Sequence, residues 1–108
     1  MSWTVEFVNR TAEAELTALP FDMRSRFMRI ADLIVQFGLQ GVHEPYVKHL
    51  EDKLWEMRLK GEDGIARSIY VAAKGERVVV LRTFVKKTDK TPRREIEIAF
   101  ARMKEIRP

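Results

Sequence analysis

The sequence predicts an α+β fold, a mainly antiparallel sheet carrying helices in the order β-α-α-β-β-β-α. Three observations lead there. Between residues 54 and 87, three strand-like segments follow one another, separated only by the turn sequences GEDG and AKGE, which is the pattern of hairpin-linked strands. Two other segments, 21–37 and 91 onward, repeat apolar residues at spacings of three and four, as amphipathic helices do. Finally, the chain has 108 residues, 45% hydrophobic and 33% charged. That composition builds the core of one domain, and we expect a single domain over 1–108.

The elements read in order as follows. WTVEFV (3–8) alternates apolar and polar residues and is rich in β-formers, so it is a first strand. RTAEAELTAL (10–19) is a short helix, with Thr11 as N-cap and Glu13 and Glu15 suited to its first turn. Pro20 stops it and opens the next helix. There Met23, Phe27, Ile30, Ile34 and Phe37 form one stripe, and Gly38 is placed to end it. Two helices joined at a proline suggest an α-hairpin.

The stretch QGVHEPYVKHLEDK, with Gly41 and Pro45, reads as a loop. LWEMRLK (54–60) then sets Trp55, Met57 and Leu59 on one face and Glu56, Arg58 and Lys60 on the other. IARSIYVA (65–72) is the next strand. RVVVLRTFVKK (77–87) is the most apolar strand and the candidate for the sheet centre. Thr91 is a plausible N-cap and Pro92 the first residue of a last helix striped by Ile96, Ala99, Phe100, Met103 and Ile106.

Several function classes drop out. The chain has no cysteine, which removes disulfides, thiolate catalysis and cysteine-held zinc. His43 and His49 are six residues apart across a proline, not at the i, i+4 spacing of a helical zinc pair. No G-x-S-x-G, phosphate-loop or dinucleotide glycine pattern occurs. No metal or cofactor is expected. The N-terminus is too short and polar for a signal peptide, and no apolar run approaches the ~20 residues of a membrane span. A cytoplasmic protein without membrane attachment is expected.

Charge is the informative feature. Residues 1–47 hold four arginines against six acids, and residues 48–108 hold sixteen cations against ten acids. The basic half thus offers a polyanion-binding surface. Arg58 and Lys60 share a polar strand face. Arg67 and Arg82 each interrupt an apolar strand, where a guanidinium needs a partner. Lys86, Lys87, Lys90, Arg93 and Arg94 crowd the start of the last helix, whose free N–H groups already favour anions. Taken singly, these are solvated lysines or arginines paired with Glu56, Glu76 or Glu95. Together they repel one another until a phosphate arrives. Tyr70 and Phe84 are aromatics on the same strands, Tyr70 the better placed to meet a base and Phe84 the better suited to core packing.

The run from LWEMR through GIARSIY to FVKKTDKTPRREIEIA, preceded by PYVKHL, resembles the phage-derived HigB-like branch of the RelE/ParE toxin superfamily. The resemblance spans nearly the whole chain. It implies a RelE-like fold and the toxin half of a type II toxin–antitoxin pair, an endoribonuclease that cleaves mRNA in the ribosomal A site. The reaction would be metal-free attack of a 2′-hydroxyl on the adjacent phosphate. By the same resemblance Arg67 is the main phosphate clamp, Arg58 a second cation facing RNA, and Lys86 and Lys87 the basic pair that stabilises charge or assists proton transfer. Tyr70 would stack on or hydrogen-bond the substrate. Lys60, Arg82, Lys90, Arg93 and Arg94 would bind phosphates of mRNA or ribosomal RNA. Glu56 is a possible base whose expected role is an ion pair with Arg58. The expected partners are mRNA, ribosomal RNA and a small helix-turn-helix antitoxin. The alternatives are a gyrase-poisoning toxin of the ParE type and a non-catalytic nucleic-acid-binding protein of phage origin.

Overall fold

A computed structural model describes residues 2–87 and 89–108. In chain order the elements are β1 (Thr4–Phe7), α1 (Arg10–Thr17), α2 (Phe21–Phe37), a single 3-10 turn (Leu39–Gly41), β2 (Val47–Glu51), β3 (Leu54–Gly61), β4 (Gly64–Ala73), β5 (Arg77–Lys86) and α3 (Arg93–Met103). The sheet order is β1-β5-β4-β3-β2, with β1 parallel to β5 and every other pairing antiparallel. This is the mainly antiparallel α+β fold expected, with one strand more.

The added strand is β2, inside the stretch read as a loop. Its five residues, VKHLE, alternate poorly, because a register shift between His49 and Glu51 breaks the two-residue period. Pairing with β3 makes it a strand; local pattern does not. The sheet's middle strand is β4, and β5 lies beside it, covered by the short parallel β1.

Helix ends also differ in detail. Asn9, not Thr11, caps α1, its side-chain oxygen accepting from the Ala12 amide at 2.8 Å. Pro92 takes the cap position of α3, and Thr91 turns its hydroxyl elsewhere. Gly38 ends α2 as anticipated, with φ of +77° and its amide donating to the Ile34 carbonyl at 2.7 Å. A Cβ at Gly38 would press on Gln40 and Trp3. Although Pro20 joins α1 to α2, each helix packs chiefly on the sheet, α1 on β5 and α2 on β3.

Two cores sandwich the sheet. On one face Met23, Phe27, Ile30 and Ile34 of α2 pack on Met57, Leu59, Ala66, Tyr70, Val78 and Val80. On the other, Ile96 and Ala99 of α3 pack on Leu54, Ile69, Val71, Val79 and Leu81. Strands apolar on both faces are what this burial requires. The shorter α3 reaches over only part of its face.

A bulge decides what occupies the uncovered part. Along β5 the register shifts so that Ile69 faces Arg82 and Tyr70 faces Val80, leaving Leu81 as the extra residue. Leu81 and Arg82 therefore both turn toward α3. Beyond the bulge the alternation is inverted, and Phe84 and Lys86, not Val85 and Lys87, share the face of Arg67 and Ile65.

Candidate active site

The part of the sheet face that α3 leaves open is floored by cross-strand rows of polar residues. Register places Lys48 opposite Glu56, Arg58 opposite Arg67 and Lys60 opposite Ile65, with Arg67 and Ile65 in turn opposite Phe84 and Lys86. Residues directly opposite in antiparallel strands share a face. Lys48, Glu56, Arg58, Arg67 and Lys86 thus converge on one cleft of about 240 Å³, walled by Asp89, Lys90 and Thr91 from the approach to α3 and by Ile96 of α3 itself. Five cations stand there against two carboxylates, and one of those carboxylates is already engaged.

That carboxylate is Glu56. It is 1% exposed and forms a short, buried ion pair with the Nη1 of Arg67, which is 2% exposed. Its other oxygen accepts a hydrogen bond from the Thr91 hydroxyl at 2.6 Å. The expected partner of Glu56 was Arg58, its near neighbour on the strand. Register explains the difference, because Arg67 crosses over from β4 while Thr91 closes from above. Glu56 therefore holds the arginine in place, and with both oxygens occupied it is poorly suited to accept a substrate proton.

Arg67 is held but not satisfied. Its Nε is buried and finds no hydrogen-bond partner among the described residues, a state that costs about 1–3 kcal/mol for a desolvated donor. Burial weakens the guanidinium's hold on its proton; Glu56 opposes this and the nearby Arg58 adds to it, and the outcome is below the ordinary arginine value. Lys86 is shifted in the same direction, by burial first, then by the charges of Arg67 and Arg58 against those of Glu56 and Asp89. Its ammonium donates to the Asp89 carbonyl. A lysine with a lowered pKa is a better proton acceptor near neutrality than an ordinary one.

The other expected residues divide. Lys90 lines the cleft. Lys87 follows β5 on the surface. Arg93 is exposed and paired with Glu51 at 2.7 Å and Glu97 at 3.7 Å, and Arg94 is exposed in the first turn of α3. Lys60 borders a neighbouring groove with Arg58. Arg82 departs from its expected role as an RNA contact. It lies beneath α3, ion-paired with Glu15 at 2.5 Å and Glu95 at 2.7 Å, and these hydrogen bonds and charges outweigh burial to raise its pKa. Tyr70 also departs from expectation. It is 3% exposed on the α2 face, opposite Trp55, where burial pushes its hydroxyl pKa up. A phenol there cannot reach the cleft. Phe84 packs against the α3-side core.

Sequence reasoning did not single out Lys48 or Thr91's bond to Glu56, and it weighed His49 only as a metal ligand; its Nε2 lies 2.8 Å from the Asp52 carbonyl and its ring meets Trp55 edge-on at 5.1 Å. Recognising β2 would have found Lys48, because its alternation with Val47 sets it opposite Glu56.

Comparison with known proteins agrees with this architecture. A double arginine-to-alanine mutant of the E. coli toxin RelE in its free state superposes with a TM-score of 0.67 at 13% identity, covering 95% of this chain and 99% of that one. A chain of an archaeal RelE–RelB complex from Pyrococcus horikoshii OT3 superposes with a TM-score of 0.57 at 22% identity, over 79% of this chain and 96% of that one. At these identities the likeness establishes the fold. No curated protein sequence matches the chain. The model of the phage-derived Gp49-like proteins matches residues 14–104, nearly the whole of the molecule and every strand and helix that builds the cleft, and the chain belongs to that family.

Proposed function

We propose that this protein is the toxin of a toxin–antitoxin pair and an endoribonuclease that cuts mRNA on the ribosome. The observation that carries the reading is the charge of the cleft: Arg67, a buried guanidinium fixed by Glu56, stands with Lys48, Arg58, Lys86 and Lys90 against two carboxylates. Cations in that excess, in a site too polar for an apolar ligand, suit a phosphate group. The RelE fold and the antitoxin named with the archaeal RelE support the biological setting.

RNA cleavage by its own 2′-hydroxyl needs a group to take that proton, charge on the phosphorane to be neutralised, and a proton for the departing 5′-oxygen. Arg67 and Arg58 meet the phosphate as charge grows. Lys86, in the fraction of molecules where it is deprotonated, takes the 2′-hydroxyl proton as the new P–O bond forms. The P–O5′ bond breaks, and water can protonate the leaving oxygen. The products are a 2′,3′-cyclic phosphate and a 5′-hydroxyl end. Lys87, Lys90, Arg93 and Arg94 serve phosphates of mRNA or ribosomal RNA at the rim, and the ribosome supplies orientation.

Induced expression in bacteria, followed by primer extension on translated messages, tests this directly. Wild type should arrest growth and leave new 5′ ends within reading frames, whereas Arg67→Ala should do neither. Growth arrest without cuts would instead favour a gyrase-directed toxin, and cuts that persist in Arg67→Ala would remove the proposed phosphate clamp.

A further inference from the structure

A second recess adjoins the cleft and shares one wall with it. Arg58 borders both, and the recess of about 310 Å³ is otherwise lined by Arg26, Pro45, Tyr46, Lys60 and Ile65. Tyr46 is the unusual member. The Arg58 amide donates to the Tyr46 carbonyl at 2.8 Å, which extends the Val47–Met57 register by one residue. Tyr46 therefore stands directly across from Arg58, in one row with Arg58 and Arg67. Its backbone is pinned on the other side too, the amide donating to the His43 carbonyl at 2.9 Å. Yet the residue is 43% exposed. An aromatic ring held by its backbone and left open to solvent is a platform, not a core residue.

Its surroundings match one ligand chemistry. Pro45, Tyr46 and Ile65 supply apolar surface, and Arg26, Arg58 and Lys60 supply positive charge. A flat base on the apolar surface with its phosphate at the cations satisfies both, as single-stranded nucleic acid does on other aromatic platforms. We infer that this recess is a nucleotide subsite: one unpaired RNA base stacks on Tyr46, and Arg26 and Lys60 hold a phosphate flanking the one bound by Arg67. Arg58 bridges the two positions. The inference rests on RNA being the ligand of the main cleft and adds where the adjoining nucleotide lies.

The test uses short single-stranded RNA oligonucleotides with 2′-O-methyl groups, which prevent cleavage, and with 2-aminopurine moved along the strand. Purified protein should bind them, and one 2-aminopurine position should be quenched by stacking. Tyr46→Ala should abolish that quench and weaken binding about tenfold, while Tyr46→Phe should keep both. Arg26→Gln and Lys60→Gln should each lower the salt dependence of binding by about one phosphate contact. Because Tyr46 is exposed, the variants should fold, which circular dichroism verifies. If Tyr46→Ala binds and quenches like wild type while Arg67→Ala loses affinity, the subsite is overturned and the RNA cleft stands. If wild type binds no RNA, the subsite falls, and the cleavage reading is decided separately by the primer-extension result.

Discussion

Two arginine–glutamate clusters lie on the same face of this sheet, and they behave in opposite ways. Beneath α3, Glu15 accepts from Arg82 at 2.5 Å, from Arg102 at 2.8 and 2.9 Å, and from the Thr83 amide at 3.3 Å, while Glu95 takes the Nε of Arg82 at 2.7 Å. Arg102 also donates to the Leu81 carbonyl at 3.0 Å. This cluster ties α1, β5 and α3 together. In the open cleft, Glu56 binds Arg67 and Thr91, yet the buried Nε of Arg67 has no hydrogen-bond partner among the described residues and further cations crowd in. One cluster is closed and structural. The other keeps an excess of cations, which is the charge the proposed phosphate would balance.

The largest test of that contrast exchanges the two arginines. Arg67→Ala removes the clamp and should slow message cleavage about 10³-fold, the scale for loss of a preorganised donor to a developing oxyanion. Arg82→Ala should leave the cleavage pattern intact per folded molecule and appear instead as a lower melting temperature. A result in which Arg82→Ala alone abolished cutting by fully folded protein would reverse the assignment.

The next effect is smaller and depends on the β5 bulge. Strict alternation from Val78 would send Lys87 into the cleft and Lys86 to the α2 face. The extra residue Leu81 reverses this, so Lys86 lies on the Arg67 face. Lys86→Ala should then cost about 10²-fold in cleavage, and Lys87→Ala only a few-fold through rim contacts. If Lys86 accepts a proton, the wild-type rate should rise with pH through a midpoint below that of an ordinary lysine. Lys86→Arg should lack that limb. A flat wild-type profile would leave Lys86 a charge-stabilising role only.

These two contrasts also mark what could be read in the chain alone. Helical periodicity, the two turns and the apolar strands revealed the α+β layout, because each is a local consequence of burial on one face or two. Arg58, Arg67 and Lys86 were visible as cations in the right segments. Arg67 and Arg82 were indistinguishable, since both interrupt an apolar strand, and only the position of α3 over one of them separates Arg82, paired with two glutamates beneath the helix, from Arg67, paired with one in the open cleft. A single-residue bulge leaves no clear mark in RVVVLRTFVKK, so the choice between Lys86 and Lys87 stayed open. Tyr70 was misjudged for a related reason. Its strand is apolar on both faces, so the pattern does not say which face a given aromatic takes.

A third test addresses the closed cluster by pH. Burial tends to raise the carboxyl pKa of Glu15, but the Arg102 hydrogen bond, the Thr83 amide and the charges of Arg82 and Arg102 outweigh it and leave it below the ordinary value. A depressed carboxyl contributes stability above its unfolded pKa and loses it as pH falls through the folded one. The melting temperature should therefore decline from about pH 5 downward. Glu15→Gln should begin about 2 kcal/mol less stable, since it breaks a half-buried charged network, and should lose part of that decline. An unchanged acid slope would place the sensitivity in other carboxylates.

The smallest effect probes the link between the open cleft and α3. The Thr91 hydroxyl reaches Glu56 at 2.6 Å, so the segment entering α3 is fastened to the carboxylate that positions Arg67. Thr91→Val keeps shape and removes only the donor, leaving one oxygen of a buried carboxylate unpaired at a cost of about 1–2 kcal/mol. Arg67 still holds the other oxygen, so its place should change little, and cleavage should fall only a few-fold while stability drops measurably. Thr91→Ser restores the donor and should restore both. A large catalytic loss in Thr91→Val at full stability would mean that the Glu56 carboxylate, once released, no longer orients Arg67, and the open cluster would then depend on its cap as strongly as the closed one depends on Glu15.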